Sequence, residues 1–375
     1  MKRLPSLVLI GLLAVAPTAF AGDGIWNTGL SAEQIYAANV FGTDSSPSDG
    51  IVDGRAWVGC APISSLRLEA SGRLVRFFEN TALDHGYLNG GLILQGSSPG
   101  RRHHYIAGAS GSLRHNGDLY SIYNYREGGG YASAKRYFTP AFSLEMRTDL
   151  LKRLYPEAPI EDALKGWVSA RLSRSLPSRT SLSLTGRVGW KRYASGERDT
   201  EGALPRAALW EGGLQGAQSL SARFAFRAWW AHSELFESTD SARELAAFEN
   251  PLLDEFSAAG DRFGAALKVI LPWNCTAELG GERLLLTYPG RPPLLYDTVA
   301  NLFLVAGDES LALGTGDRCD TTNRFRIGAD KRINLAGGAS GMLLRAGAEW
   351  TDQSSNDLYW TWQGWLVQAG ASMEF

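Results

Sequence analysis

The sequence predicts an all-β chain: a transmembrane antiparallel β-barrel of about 14 strands, within a range of roughly 12 to 16. Three observations predict it. Segments of about ten residues alternate between apolar and polar side chains, the period of a strand with two unlike faces. The connections between those segments alternate short and long. The polar faces carry arginine in mid-strand, which the five- or six-residue strands of a soluble sheet seldom do.

The chain opens MKRLPSLVLIGLLAVAPTAFA. Lys2 and Arg3 give a basic start, Leu7 to Ala16 a short apolar core, and Ala19-Phe20-Ala21 a small-x-small cleavage site. Residues 1–21 therefore read as a secretory signal peptide, too short in its apolar core for a spanning helix. Residues 22–62 differ in character from the rest of the mature chain and are expected to form an N-terminal periplasmic or plug segment. Ser31-Ala32-Glu33-Gln34 has capping-box spacing, so the segment is either a short helix or a tail with one helical turn. Asp44, Asp49 and Asp53 lack calcium-loop spacing and read as a solvated linker. Residues 63–375 are expected to form the barrel.

Composition agrees. The chain has 43 Gly, 12 Trp and 13 Tyr, a mixture that suits many strands rather than packed helices. With 37 basic against 39 acidic residues, net charge drives binding neither to nucleic acid nor to a membrane surface. Three cysteines are too few for a disulfide framework. Cys60 and Cys275 fall at the same end of their strands, so either a bond between them or free thiols fits an oxidising compartment.

In chain order, strands are expected near Ser64–Phe78, Gly86–Gln95, Arg102–Ser112, Gly117–Arg126 and Tyr131–Arg147. The later ones are cleaner. In Leu164 to Ser173, Leu164, Val168, Ala170 and Leu172 oppose Lys165, Trp167, Ser169 and Arg171. The same device recurs in Ser181 to Trp190, Leu220 to Trp230, Arg262 to Leu271, Thr322 to Arg332 and Met342 to Trp350. Trp190, Trp230, Trp350 and Trp365 sit near one end of the apolar faces, as an interfacial aromatic girdle would.

Short connections at Leu176 to Arg179, Gly216 to Ser219, Pro272 to Asn274 and Asn334 to Gly338 are expected at the periplasmic end. Long ones at Tyr193 to Pro205, Glu234 to Gly260, Tyr288 to Arg318 and Thr351 to Thr361 are expected outside. Asp240 to Phe248 reads as a small helix inside an outer loop. The apolar stretch within Tyr288 to Arg318 extends a hairpin, adds a strand pair or folds into the lumen.

The chain ends QGWLVQAGASMEF, with Trp365, Val367, Ala369, Ala371, Met373 and Phe375 on one face. This closing strand with its terminal aromatic resembles the C-terminal assembly signal of Gram-negative outer-membrane β-barrel proteins. That resemblance implies location in the bacterial outer membrane, contact with its lipid and lipopolysaccharide, and recognition of Phe375 by the barrel insertion machinery. The stretch SSNDLYW, Ser354 to Trp360, resembles the last outer loop of barrels associated with surface polysaccharide export.

No catalytic residue, metal site or cofactor is expected. Outer-membrane lipid hydrolases need a serine activated by a histidine. SLRHNGD, Ser112 to Asp118, supplies Ser112, His115 and Asn116, but Asn116-Gly117 is a tight-turn signal first. The five histidines show no ligand spacing.

The lumen remains. Inward faces are expected to carry Arg67, Arg73, Arg147, Lys165, Arg171, Arg187, Lys191, Arg223, Arg227, Arg262, Lys268, Arg324, Arg326, Arg332 and Arg345. The acids among them are Glu69, Glu145, Glu211, Glu278, Glu282, Asp330, Glu349 and Glu374. Arginine forks hold carboxylates and phosphates, and basic rings select anions. Arg171, Arg187, Arg223, Arg227, Arg262, Arg324, Arg326 and Arg345 are the candidate anion path. Either these residues form such a path or arginine–glutamate ladders brace the wall. The leading expectation is a non-enzymatic conduit for an anionic solute or acidic polysaccharide. A structural barrel without conductance and an outer-membrane hydrolase are the alternatives.

Overall fold

The computed structural model describes residues 26–40, 47–100, 102–194, 204–239, 255–295, 312–313, 315–334, 341–357 and 360–374. The expected signal peptide, the helix at Asp240 to Phe248 and Phe375 lie outside them.

A closed antiparallel barrel of 16 strands encloses the lumen. Its strands are β1 (Trp26–Ala37), β2 (Asp49–Ile63), β3 (Leu66–Phe77), β4 (His85–Ser97), β5 (His103–Asn116), β6 (Tyr125–Thr139), β7 (Phe142–Leu154) and β8 (Ala163–Leu176). They continue as β9 (Thr180–Tyr193), β10 (Arg206–Ser219), β11 (Phe224–Ser238), β12 (Ala259–Leu271) and β13 (Cys275–Tyr288). A two-residue pair, β14 (Leu294–Leu295) with β15 (Ala312–Leu313), stands apart in the connection after β13. The wall is completed by β16 (Arg318–Asn334), β17 (Gly341–Ser355) and β18 (Trp362–Glu374), and β18 closes on β1.

The strand count is therefore 16 where the sequence suggested about 14, and the difference lies mainly at the N-terminus. Of the expected plug segment 22–62, Trp26–Ala37 and Asp49–Ile63 are strands of the wall. β1 pairs with β18 from Gly29↔Glu374 to Ala37↔Leu366, and β2 pairs along its length with β1. The apparent capping box at Ser31–Gln34 lies in mid-strand, because pairing on both sides satisfies the backbone more fully than one helical turn would. Nor is Asp49 a solvated linker residue. It is buried and accepts the backbone N–H groups of Phe78, Glu79 and Asn80, tying β2 to the connection after β3.

A second correction concerns Gly117–Arg126 and Tyr131–Arg147. Asp118–Tyr123 is a 3-10 turn, and the expected long strand breaks at Pro140, between β6 and β7. Asn116 closes β5 through its side chain, which donates to the Asn124 side-chain oxygen across the connection at 3.0 Å. The connection thus spans eight residues, 117–124, and is not a two-residue turn.

Loop lengths follow the expected rhythm, although Gly216 to Ser219 belongs to β10 and the turn there falls at 220–223. Trp26, where β1 starts, and Glu374, where β18 stops, share one end with the connections 64–65, 140–141, 177–179 and 272–274. The longer connections 194–205, 239–258 and 289–317 are at the other end. The β12–β13 hairpin turns on Trp273 and Asn274, both at positive φ, with Cys275 N–H donating to the Pro272 carbonyl. This is the primed turn geometry that matches strand twist.

The outward face is apolar. Leu92, Met146, Val168, Leu184, Val188, Leu214, Phe226, Leu279, Ile327 and Val367 are all exposed there. In water such a band would drive aggregation, whereas in lipid it is the membrane-spanning surface. Phe325, Trp350 and Trp365 form a row across three strands, with ring centroids 6.1 and 6.4 Å apart. Trp190, Trp210 and Trp230 continue it around the loop half. Phe138 and Phe142 sit near the turn end of the same face. Close approach of rings accounts for part of the glycine content. A Cβ at Gly264 would collide with the Trp229 ring, and one at Gly189 would collide with the Trp167 ring.

Candidate functional site: the basic lumen

Alternation sends every second side chain of each strand inward, and the register keeps cross-strand partners on the same face. Ser169 pairs with Arg147 on one side and Arg187 on the other, and Arg187 pairs with Glu211. Through such pairs, the strand residues expected on the inward faces share one surface, the lumen. Arg223 lies in the turn just before β11, one residue outside the strand.

These cations fall into two groups. In the first, each guanidinium is held by a carboxylate and most are laid over a ring. Arg73 bonds both oxygens of Asp53 and lies 5.7 Å from the Tyr87 centroid. Arg147 forks onto Asp149 and stacks on Tyr131 at 4.3 Å. Arg153 reaches Glu127 at 2.8 Å and stacks on Tyr125 at 4.3 Å. Arg187 meets Glu211 at 2.9 Å and lies 4.3 Å from the Trp167 ring. Arg67 pairs with Glu69 at 2.7 Å near the turn end. Charge-assisted pairs, across strands for Arg73, Arg153 and Arg187 and two residues along one strand for Arg67 and Arg147, fix these side chains and neutralise them.

In the second group, pairing is loose or absent. Arg227 stands 3.7 Å from Glu278, Arg324 stands 3.9 Å from Glu282, and Arg345 stands 3.9 Å from Asp330. Arg55, Arg171, Arg223, Lys268, Arg326 and Arg332 have no ion pair among the described residues. The Arg262 Nε is buried without an acceptor. Apart from Arg262, near the loop end of β12, this group occupies the middle of the barrel and its turn half. The candidate anion path thus divides: Arg187 is firmly paired, while the other candidates belong to the loose group.

Near the loop end, Arg318 and Asp320 form a buried clasp. The Arg318 Nε donates to Asp320 at 2.9 Å, and its guanidinium lies between Tyr288 at 4.3 Å and Trp360 at 4.1 Å. Ser355 Oγ also donates to Asp320, at 2.6 Å. The clasp binds β13, β16 and β17 together below the longest connection.

A lumen recess of about 660 Å³ lies under the loop end. Arg114, Arg147, Arg153, Lys165 and Arg187 line it with Tyr87, Tyr123, Tyr125, Tyr155 and Trp167. Glu255 and Phe256, from the connection between β11 and β12, enter from above. In the 3-10 turn outside the wall, burial pushes the Tyr123 hydroxyl above its ordinary range, helped by neighbouring Tyr120 and Glu161.

The expected basic faces are thus present, but the sequence did not reveal Asp53, Arg55, Arg114, Glu127, Asp149, Arg153, Arg318 and Asp320 as lumen residues. The alternation Asp53-Arg55-Trp57-Gly59 was a signal for β2. The pairing of Ser112 with His115 fails on geometry. Ser112 faces the lumen, with its Oγ 3.4 Å from Glu127, while His115 is an odd number of residues away and faces lipid. Cys60 and Cys275 are free. They are five strand spacings apart around the wall, from β2 through β1, β18, β17 and β16 to β13, or roughly 24 Å at 4.8 Å per strand. A bond between them is excluded by that span.

No protein-family model matches this chain, and no characterised protein matches it in sequence. Solved structures share its architecture. CdiB from Escherichia coli superposes with a TM-score of 0.51 at 10% identity, over 94% of this chain and 64% of that one. A bacterial polysaccharide outer membrane secretin gives 0.48 at 11%, over 93% and 97%. OpdK of Pseudomonas aeruginosa, solved with vanillate, gives 0.46 at 9%, over 93% and 98%. At such identities the likeness is one of fold. With the apolar outer band, aromatic girdles and polar interior, that fold defines an outer-membrane β-barrel, and the protein is located in the bacterial outer membrane.

Proposed function

We propose that the protein is an outer-membrane channel whose basic lumen passes anionic solutes, acidic polysaccharide among them. One observation carries this reading. Arg55, Arg171, Arg223, Lys268, Arg326 and Arg332 face the lumen or its mouth and close no ion pair among the described residues, even where Glu145, Glu278 and Glu349 stand opposite Arg171, Lys268 and Arg326 in register. A wall brace needs its charges paired, whereas unpaired cations in a wet lumen raise the local anion concentration. A barrel of 16 strands is also wide enough to leave an aqueous channel rather than a packed core.

Planar-bilayer recording with the purified barrel tests this. Arg223, Arg227, Arg324 and Arg326 contribute two unpaired cations and two loosely paired ones. Changing all four to Gln should leave the barrel folded and move its reversal potential away from anion preference. Unchanged selectivity in the folded variant would assign these faces to the wall and defeat the proposal. The second reading, a braced structural barrel, draws support from the tight Arg73, Arg147, Arg153 and Arg187 pairs, and a silent wild-type barrel would favour it.

A further inference from the structure

Phe256 is almost fully buried although it belongs to a connection at the rim. Its ring packs 5.1 Å from Trp167 and joins Ala207, Leu209 and Leu235 in an apolar cluster of the loop half. That anchor carries Glu255 into the lumen recess, where its carboxylate lies 3.4 Å from Arg187 Nη1.

The two acids on Arg187 are not equivalent. Glu211, on the neighbouring strand, holds Nη2 at 2.9 Å and is largely covered. Glu255 holds Nη1 at the longer distance with nearly half its side chain exposed. Arg187 Nε is buried and has no acceptor. The guanidinium is thus fixed to the wall by one carboxylate while a second, on a connecting segment, rests where a solute's carboxylate would sit. The recess volume of about 660 Å³ is that of a small-molecule site. Its lining adds Arg114, Lys165 and a set of hydroxyls from Tyr87, Tyr125, Tyr155 and Ser169. Cations beside many hydroxyls match a sugar carrying a carboxylate better than a simple anion.

We infer that the recess under Phe256 is a binding site for a uronic-acid unit, and that Glu255 is its built-in competitor for Arg187. This rests on the anion-conduit reading and adds a saturable site to it. The occupant exchanges one ion pair for another, with no covalent step.

Calorimetric titration of the detergent-purified full barrel with glucuronate, and with glucose as the uncharged control, tests it without requiring conductance. Glu255→Gln keeps the size of a half-exposed side chain and should fold normally, as heat-modifiable migration would show. It should bind glucuronate about fivefold tighter than wild type, since the competing pair is a partly exposed one. Adding Arg187→Gln should abolish that gain, and glucose should bind alike in all three. Equal glucuronate affinity in wild type and Glu255→Gln, or a gain that survives loss of Arg187, would overturn the inference. Anion-selective current in a wild-type barrel whose glucuronate affinity ignores Glu255 would defeat this site alone and leave the conduit standing. Current without anion preference would defeat the conduit.

Discussion

Individual arginines in this barrel have different jobs, set by how well each is matched. Arg318 is the extreme case. Its side chain is 4% exposed and that of Asp320 only 1%, so both charges have left water and depend on one another. Removing one member of such a pair strands the other, at about 3–5 kcal/mol. Asp320→Ala should therefore lower the denaturant midpoint of the refolded barrel sharply. Arg67→Ala, which breaks an exposed pair, should change it by about 1 kcal/mol or less. Equal midpoints for the two variants would show that the buried clasp contributes no more than a surface contact. The contrast was illegible in sequence. Arg318 and Asp320 are two residues apart at the end of a strand, an arrangement that Arg67 and Glu69 share, and only enclosure by Tyr288, Gln353 and Trp360 distinguishes them.

For strands, the period of two carried most of the information, and it did so best where both faces were distinct. β8 and β9 were readable because Val168, Leu172, Leu184 and Val188 alternate with Arg171 and Arg187 without interruption. β1 was missed because Thr28, Ala32 and Gln34 make its lipid face weakly apolar, so the capping-box spacing outweighed the alternation. β6 and β7 were misjoined because Phe138 and Phe142 continue the apolar face across the tight turn at Pro140. Turn chemistry gives a direct test of sidedness. The Trp273–Asn274 turn shares an end with Trp26 and Glu374, so an epitope inserted there should stay hidden on intact cells. An epitope at residue 255's connection, between β11 and β12, should be stained. Surface staining of the Trp273–Asn274 epitope would reverse the orientation of the whole barrel.

As a molecule, the barrel has no free edge: β1 and β18 meet along Gly29↔Glu374 to Ala37↔Leu366, and every backbone ladder is closed. Assembly must therefore bring the first and last strands together. Phe375 is the residue proposed to be read by the insertion machinery. Its deletion should reduce heat-modifiable barrel in the outer membrane and leave degraded periplasmic protein. Normal abundance after deletion would remove that role from Phe375.

The sequence alone determined the class of structure, the polarity of its two faces and the rhythm of its connections. Each is a local property: a strand's alternation appears within ten residues, and a turn's chemistry within four. It also placed Arg171, Arg227, Arg262, Arg324, Arg326 and Arg345 on inward faces, since parity along a strand suffices for that. Tertiary structure decided the number of strands, which depends on where the ring closes, and it decided which cations are spent. Whether Arg187 is neutralised depends on Glu211 one strand away and on Glu255 from a distant connection. Charge matching across a barrel is set by register, stagger and loop entry, and no single stretch of sequence holds all three.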